Sequence, residues 1–149
     1  MGKFEEIADK MILYKVKTTW LKIEKFYNEI ASANDSSLSM AFVLLAIDNE
    51  KGSTVTSIAP RIGMEPNSLS RILKRLKEKD FVYKKQSLKD KRKVYICLTK
   101  LGLEKKQIAL ENINKLENLI INSSNKNDIE GFFAVSDSIK NSIDSINKK

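Results

Sequence analysis

The chain has 149 residues, 42% of them hydrophobic and 31% charged, with a formal net charge of +8; this suits one domain of ordinary soluble composition with a core of its own. No run approaches the roughly eighteen apolar residues of a membrane span, and the start MGKFEEIADK lacks the basic flank and apolar stretch of a secretory signal, so a cytoplasmic protein without a membrane partner is expected. Histidine is absent and Cys97 is the single cysteine, which excludes an internal disulfide, thiolate–imidazole zinc sites, and Ser-His-Asp or Cys-His nucleophile systems. Carboxylate or lysine chemistry stays open, but no pair of such groups stands out, so no enzyme, cofactor or metal is expected.

In chain order, Phe4, Ile7, Ala8, Met11, Tyr14 and Leu21 recur at helical steps and predict one long helix from about Phe4 to Ala31. Turn and capping residues over Ser32–Ser37 break it. A second helix follows from about Ser37 to Asn49, and its run Met40–Ile47 is apolar on nearly all sides, which predicts central burial. After a turn at Glu50–Ser53, Thr54 is a candidate N-cap for a short third helix with Val55, Ile58, Ala59 and Ile62 inward. Pro60 is awkward inside that helix, because it removes an internal hydrogen bond.

Gly63 then supplies a turn, and Pro66 suits the first position of a fourth helix, from about Pro66 to Lys79. Leu69, Ile72, Leu73 and Leu76 form its buried stripe; Asn67, Ser68, Ser70, Arg71, Lys74, Arg75 and Lys77 take the remaining surface. Two short helices joined by a glycine turn, the second polar and basic outside, describe a helix-turn-helix, although a generic helical hairpin fits the same pattern. Phe81–Tyr83 and Val94–Thr99 read as strands flanking a polar, basic tip at Gln86–Lys93. A helix-turn-helix followed at once by such a hairpin is a winged helix. The remainder is helical: an amphipathic helix from about Lys100 to Asn122, a break at Asn122–Asn125, and a last helix marked by Ile129, Phe132, Phe133, Val135, Ile139, Ile143 and Ile146.

The charge follows this division. Residues 61–93 hold 12 basic and 4 acidic side chains, so this stretch carries the entire net +8 and the rest of the chain is neutral. A solvated lysine-rich face is the plain alternative, but concentration in one segment favours a polyanionic partner.

Asp90-Lys91-Arg92, followed after five residues by Leu98-Thr99-Lys100-Leu101-Gly102, resembles the wing pattern of the MarR family of winged helix-turn-helix transcriptional regulators, and Ile58-Ala59 and Leu69-Ser70-Arg71 extend the likeness upstream. The resemblance covers essentially the whole chain. It implies a mainly α fold with a small β-hairpin wing (α+β): a single domain over 1–149, a winged helix-turn-helix lobe at 53–99, and dimerisation helices at 4–31 and 100–147. The implied function is sequence-specific binding of double-stranded DNA, as a repressor acting on a pseudopalindromic operator.

In such proteins the fourth helix enters the major groove. Asn67, Ser68, Ser70 and Arg71 are then candidates for base edges or nearby phosphates, with Arg71 suited to guanine and Asn67 to adenine, while Lys74 and Arg75 face phosphates. The wing residues Lys89, Asp90, Lys91, Arg92 and Lys93 approach the minor groove, with Arg92 inserted and Asp90 holding its guanidinium in place. One departure stands out: Asp80 occupies the position where the family usually has glycine before the strand.

The resemblance further implies a homodimer, consistent with the surplus apolar surface at Phe132, Phe133 and Ile139. It also implies a small aromatic or phenolic effector in a cleft that Tyr14, Trp20, Tyr27 and Phe42 could line, although ordinary packing explains each of the four as well. Cys97, in the second wing strand, reads as a small buried hydrophobe. A winged-helix module that binds protein and no DNA is the competing reading. Such a module has no need for the basic outer face of the fourth helix.

Overall fold

In the computed structural model, which describes residues 3–148, the expected long N-terminal helix is two helices, α1 (Phe4–Ala8) and α2 (Ile12–Ala33). Met11 between them is extended, at φ −89° and ψ 126°. The Phe4 and Tyr14 rings meet edge-on with centroids 5.9 Å apart, whereas an unbroken helix would separate these residues by about 15 Å along its axis. Neither glycine nor proline marks the break. Burial of Ala8, which is 1% exposed, and the ring contact decide it, and apolar periodicity registers neither.

Asn28 on α2 accepts the Leu38 N–H through Oδ1 at 2.9 Å, which ties it to α3 (Leu38–Ala46). Ser37 caps α3 by accepting the Met40 N–H through Oγ at 3.2 Å. As the all-round apolar run predicts, Leu38, Met40, Val43, Leu44 and Ala46 are buried. The helix stops at Ala46 rather than near Asn49: Ile47 is extended and buried, and Asp48 Oδ1 accepts the N–H groups of Glu50 and Lys51 at 2.9 and 2.8 Å. An Asp side chain that satisfies the next two amides favours a turn over further helix.

The sheet has a strand that the sequence pattern does not announce. β1 (Ser53–Thr54) is two residues long and pairs with β3 (Val94–Leu98), which in turn pairs with β2 (Val82–Gln86), giving the antiparallel order β1-β3-β2. Ser53 faces Ile96, Val82 faces Leu98, and Gln86 faces Val94. The second strand begins after Phe81 and continues to Gln86, beyond the expected Tyr83. Its last four residues are exposed, so backbone pairing to β3 rather than side-chain alternation sets its length.

α4 (Val55–Ile62) begins after Thr54, as expected, although the Thr54 side chain makes no capping bond. Pro60 is accommodated within it, and Gly63 ends it in the left-handed conformation at φ 62°. α5 (Pro66–Glu78) opens on Pro66 and buries Leu69, Leu73 and Leu76. These three join Met40, Val43, Leu44, Ile58, Phe81, Val82, Ile96 and Leu98 in one core cluster. Each large side chain buried this way contributes on the order of 1.5–3 kcal/mol, so the small lobe closes around its own core.

The end of α5 settles the position where the family usually has glycine. Asp80 takes φ 60°, its N–H donates to Lys77 O at 3.0 Å, and the Phe81 N–H donates to Leu76 O at 2.9 Å. This is a Schellman motif with aspartate at the left-handed position. The Thr99 hydroxyl then donates to Asp80 O at 2.6 Å and accepts the Gly102 N–H at 2.9 Å, capping α6 (Lys100–Ser123). A Cβ on Gly102 would collide with the Phe81 carbonyl. The Leu-Thr-x-x-Gly part of the motif is therefore a structural joint between the α5–β2 turn and α6.

The chain divides into two compact units, the first ending at Ala109 and the second beginning at Leu110. The second holds the later part of α6 and α7 (Lys126–Asn147), which Asn125 caps by accepting the Asp128 N–H at 2.8 Å. None of the described residues of α7 is fully buried; Phe132, Phe133 and Ile146 are 67%, 62% and 70% exposed.

Candidate nucleic-acid interface

Burial of the leucine stripe turns the opposite side of α5 outward. Asn67, Ser68, Ser70, Arg71, Lys74 and Arg75 are all exposed, as expected for a reading surface. Asn67, Ser68 and Arg71 occupy the first two turns, the part of such a helix that reaches base edges. Ser70 is more restricted than its sequence suggests. Its hydroxyl donates to Pro66 O at 3.0 Å, so in this state it offers an acceptor only.

The wing tip is built by polar side chains folding onto backbone. Ser87 Oγ accepts the N–H groups of Lys89 and Asp90, each at 3.3 Å. Gln86 Nε2 donates to Lys91 O at 2.7 Å, and the Lys93 N–H donates to Asp90 O at 3.0 Å. Asp90 Oδ1 accepts both the Arg92 N–H at 3.0 Å and Arg92 Nε–H at 3.3 Å. The Arg92 side chain is 92% exposed while Asp90 is 37% exposed. The bond to Asp90 uses Nε rather than the terminal guanidinium nitrogens, so Arg92 is held while its side chain stays exposed. Lys89, Lys91 and Lys93 are exposed around it.

Not every cation in the basic segment faces outward. Arg61 Nη1 donates to Ala46 O at 3.3 Å. Lys79 Nζ bonds Asp35 Oδ1 at 2.6 Å, joining the end of α5 to the turn before α3, and this contact holds the Asp35 carboxyl below its ordinary pKa, with Lys105 adding a smaller attraction. From α6, Lys105 Nζ donates to Asn34 O at 2.9 Å and lies 5.8 Å from the centre of the Phe81 ring. Lys106 Nζ donates to Ile47 O at 2.5 Å, and its partial burial lowers its pKa, partly offset by Asp48. Chain position does not reveal these roles, because each partner lies 15 or more residues away.

The candidate effector-pocket residues are placed differently. Phe42 lies half-buried on α3, and Tyr14 and Tyr27 half-buried on α2, where Trp20 is 43% exposed. Tyr14 and Tyr27 stand about 20 Å apart along one helix axis, and Tyr14 pairs with Phe4 while Tyr27 pairs with Phe26. The fold thus does not draw the four into one small cavity within the first unit. Cys97 is buried, as expected, beside Gly52, where an added Cβ would lie 2.6 Å from its sulfur. A feature the sequence reading did not announce is a cleft between α5 and β2, lined among others by Lys74, Lys77, Tyr83 and Lys84.

A stripe-buried helix in a helix-turn-helix, followed by a braced, cationic hairpin, defines a winged helix-turn-helix protein. The MarR family model matches residues 37–94. The regulator SarZ of Staphylococcus aureus is 30% identical over 81 residues, which cover 54% of this chain and 55% of that protein; SarZ of Staphylococcus haemolyticus is 25% identical over 99 residues, 66% and 67% of the two. Among solved structures, the Staphylococcus aureus MepR–DNA complex superposes with a TM-score of 0.79 at 17% identity, covering 89% of this chain and 98% of MepR. A MarR/EmrR family regulator of Acinetobacter sp. ADP1 also gives 0.79 at 17% identity, covering 92% and 97%. Over residues 37–94 the chain is similar to the MarR family of regulators, and its fold is that of solved MarR-type structures. The sequence match covers about half the length of SarZ from Staphylococcus aureus, and the likeness to MepR is one of fold.

Proposed function

We propose that the protein is a sequence-specific, double-stranded DNA-binding transcriptional repressor that acts in the cytoplasm as a homodimer on a pseudopalindromic operator. The observation that carries this reading is the pairing of two exposed cationic elements on one small core: the outer face of α5 and the Asp90-braced Arg92 at the wing tip. Asn67, Ser68, Ser70 and Arg71 would read bases, Lys74 and Arg75 would hold phosphates, and Lys89, Asp90, Lys91, Arg92 and Lys93 would form the minor-groove contact. The segments 4–31 and 100–147 would build the dimer. Exposed Phe132, Phe133 and Ile146 support this, since a second copy can bury the apolar area that one chain leaves in water.

Release by a small aromatic or phenolic effector is the second part of the proposal. It is supported by a structural neighbour, CouR of Rhodococcus jostii, solved with p-coumaroyl-CoA bound. The test is a mobility shift with DNA from upstream of the protein's own coding region, with Arg92→Ala alongside. We expect a retarded complex at low salt and about 5- to 150-fold weaker binding by the variant, corresponding to about 1–3 kcal/mol. No retarded complex at low salt with any duplex would favour the protein-binding winged-helix reading.

A further inference from the structure

Four cations from three other helices meet α3 at its two ends. After its last turn, Arg61 Nη1 of α4 donates to Ala46 O at 3.3 Å and Lys106 Nζ of α6 donates to Ile47 O at 2.5 Å. Before its first turn, Lys79 at the end of α5 bonds Asp35 Oδ1 at 2.6 Å and Lys105 Nζ of α6 donates to Asn34 O at 2.9 Å. Each end of α3 thus holds one cation from the helix-turn-helix and one from α6. The nine residues of α3 span about 14 Å. Successive residues of a helix point about 100° apart, so Lys105 and Lys106 leave α6 in different directions and reach opposite ends of α3. Both lysines are half-buried, and a charged hydrogen bond sheltered from water is worth more than an exposed ion pair such as Lys79–Asp35.

α3 shares one core with α4 and α5, so whatever fixes α3 against α6 fixes the reading helix too. The close approach of Gly102 to the Phe81 carbonyl is one point of contact, and one point by itself is a pivot. Two further contacts at opposite ends of α3 remove the rotation about it. We propose that Lys105 and Lys106 are positioning residues, which hold the helix-turn-helix at one angle to the first part of α6 and so set the half-site spacing that the dimer accepts. The inference rests on the reading of the protein as a DNA-binding homodimer and deepens it. Half-sites lie about one helical turn apart, so adding one base pair rotates one half-site by about 35° against the other. A lobe held at one angle matches one spacing and twists the DNA to meet any other. A lobe that rocks on α6 matches several. In this role neither lysine touches DNA, and both lie outside residues 61–93, which carry the net charge.

The double variant Lys105→Met/Lys106→Met removes both donors and keeps the apolar stems. Circular dichroism and sedimentation check that it folds and dimerises; if it does not fold, Lys106→Met alone is read by the same criteria. Affinity is measured for half-sites selected from random DNA, placed at the selected spacing, at one base pair more and one fewer, and singly. The wild type should prefer the selected spacing by about tenfold or more, and the variant by less than about threefold, with single half-site affinity within about twofold of wild type. Lys105→Arg/Lys106→Arg, which keeps a charged donor for each end of α3, should restore the preference. A folded variant that keeps the wild-type preference, or one that weakens equally on every duplex including the single half-site, overturns the positioning role while the DNA-binding reading stands. A wild type that binds DNA as a monomer, or without regard to spacing, does the same. Failure of the wild type to bind any of the duplexes overturns both.

Discussion

The winged lobe and the terminal helices solve opposite problems. In the lobe, short elements bury Leu69, Leu76, Ile58, Ile96 and Phe81 almost completely and turn their cations outward. In α2 and α7 the large apolar side chains themselves remain in water: Ile12, Leu13, Val16, Phe132, Phe133 and Ile146 are each close to half exposed or more. Apolar periodicity is strong in both regions, so amphipathicity alone does not distinguish them. The lobe has several elements against which one face can close, including a three-stranded sheet, whereas the exposed faces of α2 and α7 have no such cover. A region that buries its apolar stripe is free to use its surface for charge. A region that leaves its stripe exposed offers that stripe as surface.

The sharpest way to break this contrast is to cut into each region and follow denaturant unfolding over a hundredfold range of protein concentration. Leu69→Ala should lower stability by about 3–5 kcal/mol, because the site is fully enclosed, while the concentration dependence of the midpoint stays as in wild type. Phe132→Ser, at a side chain 67% exposed, should change the stability of the isolated chain by less than about 0.5 kcal/mol and abolish the concentration dependence. A wild-type midpoint that does not move with concentration would remove the dimer from the comparison.

A smaller effect is expected at the joint between α5 and α6. Gly102→Ala should cost about 1–3 kcal/mol, because the obstructing atom is the Phe81 backbone carbonyl, which cannot rotate away. Thermal unfolding reads this directly, and an unchanged Tm would mean that the close approach relaxes freely.

The smallest effect concerns the link from the end of α5 to the α2–α3 turn. Lys79 holds the Asp35 pKa below its unfolded value. The ion pair therefore adds stability above the ordinary carboxylate pKa near about 4 and loses it as pH falls through the lower folded value. Asp35→Asn should flatten that part of the stability profile and leave the neutral-pH midpoint nearly unchanged, since the aspartate is exposed. A variant with the same acid limb as wild type would dismiss the contact.

Much of the lobe was legible before any coordinates. Leu69, Leu73 and Leu76 at helical spacing, Gly63 at a left-handed turn, Pro66 at a first helical position and a β-branched hairpin each act through local backbone or periodic burial, which a sequence displays directly. Asp80 belongs with them, since aspartate tolerates positive φ and takes it here. The outward face of α5 followed from the same reading, whereas the Asp90–Arg92 brace was implied by the family resemblance and is present in the fold.

Other features needed the folded chain. The break between α1 and α2 depends on Ala8 burial and a ring contact, and β1 is too short to carry a pattern. Seven of the nine residues lining the α5–β2 cleft fall between Ser70 and Lys84, yet their convergence requires the turn at Asp80 to swing the strand back beside the helix. Apart from the α1–α2 break, β1 and the length of β2, the sequence by itself determined which segments are helix, turn and hairpin, and that all the net charge lies between Arg61 and Lys93. Tertiary structure decided which of those charges are available. Arg61 and Lys79 are drawn onto partners contributed by distant segments, while Lys74, Lys77, Lys84 and Arg92 are left facing solvent. The physical reason is that a charge's sign is local, whereas its partner is chosen by whichever segment the fold brings within hydrogen-bond reach.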